Sequence, residues 1–131
     1  MEKEVTDRYI LTIFRSPRGC LSYLVGCSRT REALVIDPSR EVGDTYLDAL
    51  TAQNLTLRHI VDTHTHADHL SAYRSLKEAT GAEYCMHERA PSTHVDRRLR
   101  DGDTLVAGDL VARVLYTPGH AIDSVALLVD D

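Results

Sequence analysis

The segment Thr63-His64-Thr65-His66-Ala67-Asp68-His69 holds three histidines and an aspartate within six residues. In extended chain, residues two apart point the same way, so His64 and His66 can present their imidazoles to one point. Asp68 and His69 fall where the chain must turn into the next helix. The partial positive charge at a helix start favours an ionised Asp68 and a neutral His69 able to bind a metal. Nitrogen and oxygen donors at this density suit zinc, iron(II) or manganese rather than calcium. A second candidate is Tyr116-Thr117-Pro118-Gly119-His120, in which Pro118 fixes φ and Gly119 relaxes it. That sharp turn would aim His120 from a strand end toward the first cluster. His59, His87 and His94 stand alone and read as surface or hydrogen-bonded residues.

These residues need a scaffold, and the pattern of apolar positions supplies one. Tyr9 to Phe14, Cys20 to Val25 and Glu32 to Ile36 read as strands, the last ended by Asp37-Pro38. Val42 to Gln53 changes to a helical period through Val42, Tyr46, Ala49 and Leu50, with Asn54 as its stop. Leu57 to Val61 is a short apolar strand leading straight into the histidine-rich segment. A second helix from about Ser71 to Thr80 places Tyr73, Leu76 and Ala79 on one face and ends at Gly81. Glu83 to Met86 is a strand. Thr104 to Val106 and Leu110 to Tyr116 flank a hairpin turn at Gly108-Asp109, and Val125 to Val129 is the last strand. This is an α/β layered arrangement, with the chemistry at the C-terminal end of a strand.

Composition narrows the function classes. At 131 residues the chain fits one domain, and 43% hydrophobic with 27% charged residues is an ordinary globular balance. A net charge of −5 disfavours a nucleic-acid partner. Arg97, Arg98 and Arg100 lie among Asp96, Asp101 and Asp103 and read as a solvated mixed-charge turn. No apolar run approaches the roughly 20 residues of a membrane span, and Met1-Glu2-Lys3-Glu4 lacks the pattern of a signal peptide. The expected location is cytoplasmic. Three cysteines without a C-x-x-C pair argue against a disulfide framework or a thiolate zinc site. Cys20 and Cys85 are expected to be buried, inert thiols.

The H-x-H-x-D-H motif after a short apolar strand, with T-P-G-H about fifty residues later, resembles the metallo-β-lactamase fold. "ALVIDP" at Ala33 to Pro38, "THTHADHLSA" at Thr63 to Ala72 and "DGDTL" at Asp101 to Leu105 occur in that family's order. The resemblance implies an αββα sandwich, of which residues 1–131 would form a partial domain: the first half plus the start of the second. Ala67 before Asp68, and Leu70-Ser71 after His69, are most similar to the persulfide dioxygenase branch. Glyoxalase II proteins more often carry a third histidine where Thr65 stands.

The resemblance also implies roles. In dinuclear members His64, His66 and His120 would hold one metal, while Asp68 and His69 would belong to the second. In the persulfide dioxygenase branch His64 and His120 would hold a single iron(II) together with an aspartate from a later Gly-Asp turn. His66, Asp68 and His69 would then orient ligands or bound water. That Gly-Asp position falls beyond Asp131, so one ligand is expected to be missing. Asp123 begins the following strand and is not that ligand. The implied function is a metal-dependent enzyme using Fe(II) or Zn(II), most similar to a dioxygenase converting glutathione persulfide and O₂ to sulfite and glutathione. A dinuclear zinc hydrolase of glutathione thioesters, with Asp68 orienting the nucleophile, is the alternative. A third reading is an inert metal-binding half-domain. An uncovered sheet face, with Val125 to Val129 at its edge, would lead the isolated chain to form a homodimer, swap strands or aggregate.

Overall fold

The computed structural model describes residues 1–66, 70–119 and 121–129. Its strands are β1 (Glu2–Val5), β2 (Tyr9–Arg15), β3 (Leu21–Cys27), β4 (Glu32–Ile36), β5 (Thr56–Val61), β6 (Glu83–His87), β7 (Arg97–Leu99), β8 (Thr104–Ala107), β9 (Leu110–Tyr116) and β10 (Val125–Val129). Helix α1 (Thr45–Ala52) lies between β4 and β5, and α2 (Tyr73–Thr80) between β5 and β6. A seven-stranded sheet runs in the order β1 to β7, and a three-stranded sheet runs β10-β9-β8. The larger sheet is antiparallel from β1 to β4 and parallel from β4 to β7. Its two helical crossovers leave the C-terminal ends of β4, β5 and β6 side by side.

Two cores follow from the alternation of side chains along each strand. Ile10, Phe14, Leu24, Val35 and Ile60 point from the large sheet toward Tyr46, Leu50 and Leu76 of the helices. Val25, Leu34, Val61 and Cys85 point the other way, onto Leu105, Leu110, Ala112 and Val114 of the small sheet. The layers are helix, sheet, sheet, which is the expected α/β sandwich with its first half and the beginning of the second. Val106, Val111, Leu115 and Leu128 are exposed on the small sheet.

Several boundaries differ from the pattern-based expectation for local reasons. Helix α1 begins at Thr45 rather than Val42, because Gly43 takes φ 68 and breaks the helical path just before it. Its expected stop holds, with Asn54 at φ 54. Helix α2 starts at Tyr73 rather than Ser71, since Ser71 is engaged in a bridge to Ser39. It ends on Gly81 at φ 75, but Ala79 is exposed and the buried face is Ala72 and Leu76. The arginine cluster is not a solvated turn. Arg97 to Leu99 form β7 beside β6, with Leu99 fully buried. Arg98 donates to the carbonyls of Glu88, Ala90 and Ser92, so its charge is stitched to backbone. Cys85 is buried as expected, whereas Cys20 is only half-buried.

Candidate metal centre

The chain leaves β5 at Asp62 and passes over the ends of the parallel strands. There His64 and His66 lie on one side, with ring centroids 4.3 Å apart. Asp37 comes from the end of β4. Its φ of 55 is a left-handed conformation that Asp adopts more readily than most residues, and it turns the carboxylate toward the histidines. Asp37, His64 and His66 bring ligand atoms within 4.8 Å of one another.

The hydrogen bonds around this group define which nitrogens can coordinate. Thr63 donates its backbone N–H to Asp37 Oδ1 at 2.7 Å and its hydroxyl to Asp37 Oδ2 at 2.7 Å. The Thr63 hydroxyl is also 3.0 Å from His64 Nδ1, so a metal on His64 would use Nε2. His66 Nε2 faces Asp37 Oδ1 at 3.2 Å and Asp62 Oδ1 at 3.7 Å, so a metal on His66 would use Nδ1. A carboxylate behind a ligating imidazole fixes its tautomer and raises its basicity. Burial works against a charged His66, but the hydrogen bond to Asp37 and the Asp62 carboxylate nearby outweigh it and lift the ring from 6.5 to about 10. Burial likewise opposes an ionised Asp37, and the bonds from His66 and Thr63 overcome it and hold the carboxyl below its ordinary value.

Asp62 is buried, and its Oδ1 has no hydrogen-bond partner among the described residues. Its other oxygen accepts from Tyr84 at 2.5 Å. Burial, with the Asp62 charge next, raises the Tyr84 phenol well above its usual range, so it stays a donor. A buried carboxylate, Asp62, and a half-buried one, Asp37, behind two imidazoles favour a positive charge at this point, whether a ring proton or a divalent cation. The donor set therefore fits a metal ion.

The far wall of the site comes from the small sheet. Asp123, in the turn before β10, accepts from the Thr65 backbone N–H at 3.0 Å and from its hydroxyl. The Val125 N–H donates to Thr63 O at 2.8 Å. The β9–β10 connection, which contains His120, is thus fastened to the motif on its described side. Asp68, His69 and His120 themselves lie outside the described residues.

Sequence reasoning missed Asp37, Asp62, Tyr84 and the clamp role of Asp123. Asp37 carried a signal, as an acidic residue ending the strand parallel to the one that leads into the motif. The lone histidines are hydrogen-bonded or at the surface, as expected, and the Arg89 backbone N–H donates to His87 Nδ1 at 3.0 Å. His59 bonds Glu83 and the Val106 carbonyl, His87 is buried and stacks on Tyr116 at 4.0 Å, and His94 is exposed.

A seven-stranded sheet with crossover helices, a facing antiparallel sheet and histidines over the strand ends define a metallo-β-lactamase architecture. The sequence pattern of the metallo-beta-lactamase superfamily matches residues 15–131, and the chain belongs to that superfamily. A hydroxyacylglutathione hydrolase of Rhodopseudomonas palustris (strain BisB18) is 37% identical over 123 residues, 92% of this chain and 48% of that protein. The mitochondrial persulfide dioxygenase ETHE1 of Bos taurus is 28% identical over 116 residues, 88% of this chain and 46% of that protein. The crystal structure of ETHE1 from Myxococcus xanthus matches with a TM-score of 0.85 at 36% identity, over 92% of this chain and 54% of that one. The chain spans about half the length of the curated relatives it matches. No helix among the described residues is long and apolar enough to cross a membrane.

Proposed function

We propose that this chain supplies the first part of a metal centre in a cytoplasmic enzyme that oxidises a glutathione persulfide. The observation that carries this reading is the pair His64 and His66, each with one nitrogen committed to an orienting oxygen. With those bonds kept, a metal would be held through Nε2 of His64 and Nδ1 of His66. Asp68, His69 and His120 complete the proposed ligand region, and Asp68 is the proposed catalytic carboxylate. The likeness to the Myxococcus xanthus ETHE1 structure supports the dioxygenase branch. So does Thr65, which stands where a further histidine would favour a dinuclear hydrolase and whose N–H and hydroxyl are spent on Asp123.

Iron(II) bound here would supply open coordination positions for a thiolate sulfur and for O₂. The net reaction is RSSH + O₂ + H₂O → RSH + SO₃²⁻ + 2H⁺. Asp37 holds His66 in one tautomer, and Thr63 fixes Asp37 and the His64 ring together. Asp62 and Tyr84 keep a negative charge buried behind the centre. A cavity of about 480 Å³ bounded by Tyr9, Leu11, Tyr23, Leu127 and Val129 reaches Asp37 and Thr63, and offers an apolar approach from which water is partly excluded.

The hydroxyacylglutathione hydrolase relatives favour a second reading, a dinuclear zinc site that hydrolyses a glutathione thioester. Metal analysis of the whole protein, with oxygen uptake on glutathione persulfide and hydrolysis of a glutathione thioester, separates the two. The expected result is bound iron, oxygen uptake and sulfite release, with His64→Ala abolishing metal binding. Two bound zinc ions with thioester hydrolysis and no oxygen uptake would replace the first reading by the second.

A further inference from the structure

Strand β5 carries another histidine below the motif, and its surroundings pose a hydrogen-bonding problem. His59 Nε2 lies 2.8 Å from the Val106 carbonyl oxygen on β8, and Nδ1 lies 2.8 Å from Glu83 Oε1 on β6. A carbonyl only accepts, so Nε2 carries the hydrogen. A neutral ring then points the Nδ1 lone pair at a carboxylate oxygen. Two acceptors at that distance need a proton or a cation between them.

Cys85 decides which of the two the site is built for. Its Sγ is 3.7 Å from the same Glu83 oxygen, and the His59, Glu83 and Cys85 ligand atoms lie within 4.8 Å of one another. A thiol gains little from a carboxylate neighbour, and burial and then the Glu83 charge raise Cys85 far above the ordinary thiol range. A metal ion would turn that unfavourable trio into a ligand set. A ring N–H donated to a backbone carbonyl is the usual brace of a ligating histidine. Tetrahedral zinc would set nitrogen and oxygen ligands roughly 3.3 Å apart, so the His59–Glu83 contact need open by only about half an ångström. Arg97 Nη1 also reaches Glu83 Oε1, at 3.4 Å, but its Nη2 is held by the Thr104 carbonyl at 3.0 Å, so it can release the carboxylate and stay anchored.

We propose that His59 Nδ1, a Glu83 carboxylate oxygen and Cys85 Sγ form a second metal site for a zinc-class divalent ion. The site ties β5 to β6 and, through the Val106 carbonyl, to β8. A surface cleft lined by His59, Gly81, Glu83 and Val106 gives the ion its entry path and leaves water a fourth position. On binding, metal–nitrogen, metal–oxygen and metal–sulfur bonds form, and the thiol proton is released to solvent.

Cobalt(II) substitution tests the site without reference to enzyme activity. The motif centre has no cysteine among its proposed ligands, so a near-ultraviolet thiolate-to-cobalt absorption reports the second site alone. The absorption is expected in the native protein and in the His64→Ala/His66→Ala double variant. It should vanish in Cys85→Ser, weaken in Glu83→Gln and persist in Cys20→Ser. Because Cys85 is buried, circular dichroism checks that Cys85→Ser is folded, and the more accessible Glu83→Gln stands as the second arm. Saturating cobalt without this absorption, or an absorption that survives Cys85→Ser or is unchanged in Glu83→Gln, would overturn the proposal and leave a hydrogen-bonded His59–Glu83 pair.

Discussion

The gap between the two sheets is closed at one end and open at the other. Toward β8 and β9, Leu105, Ala107, Leu110, Ala112 and Val114 are all fully buried against Leu34, Val61, Cys85 and Leu99. Toward β10, Tyr9, Leu11, Ile36, Leu127 and Val129 are apolar yet only partly covered. The same kinds of side chain occupy both ends, and the difference lies in how many strands each sheet brings. A seven-stranded sheet faces a three-stranded one, and Tyr9 and Leu11 of β2 are left only partly covered. Hydrophobicity set the face of each strand, and the count of opposing strands set the depth of burial.

The largest expected effect is at the closed end. Leu105→Ala should cost about 2–5 kcal/mol in urea unfolding, since a fully buried leucine leaves a cavity that its neighbours fill only in part. Leu127→Ala at the open end should cost roughly 1 kcal/mol or less, because little area returns to water. A loss at Leu127 as large as that at Leu105 would mean the open face is covered in solution, by a second copy of the chain or by further polypeptide. The smallest effect belongs to Arg29, whose guanidinium grips Asp109 through two bonds of 2.6 and 2.8 Å across the closed end. Both groups are exposed, so Arg29→Lys should lower the melting temperature slightly at low salt and indistinguishably at high salt.

Much of this arrangement was legible in the sequence because alternation and turn residues carry it. The span Glu32–Ile36, the span Val125–Val129 and the Gly81 stop coincide with the expectation from pattern alone. β7 was hidden because three arginines surround its single buried leucine, and Arg98 among them is held by backbone carbonyls that no local pattern reveals. Asp37, Asp62 and Asp123 were hidden for a related reason. Each acts on the motif from a different strand end, and that proximity is a property of parallel pairing and sheet stacking. His64 and His66 were legible because their spacing alone places them together.

The bonds from Val125 N to Thr63 O and from Thr65 to Asp123 bear on the order in which the molecule assembles. The large sheet follows chain order from β1 to β7, so it can zip one neighbour at a time. The motif loop instead waits for a partner much later in the chain, and closing so long a loop costs entropy before it returns any contact. On this ordering the loop is a kinetic latecomer. The Thr65 and Val125 amides should be protected from hydrogen exchange after those of β3 to β5, and metal capture would belong to the closing step of folding rather than to its nucleus.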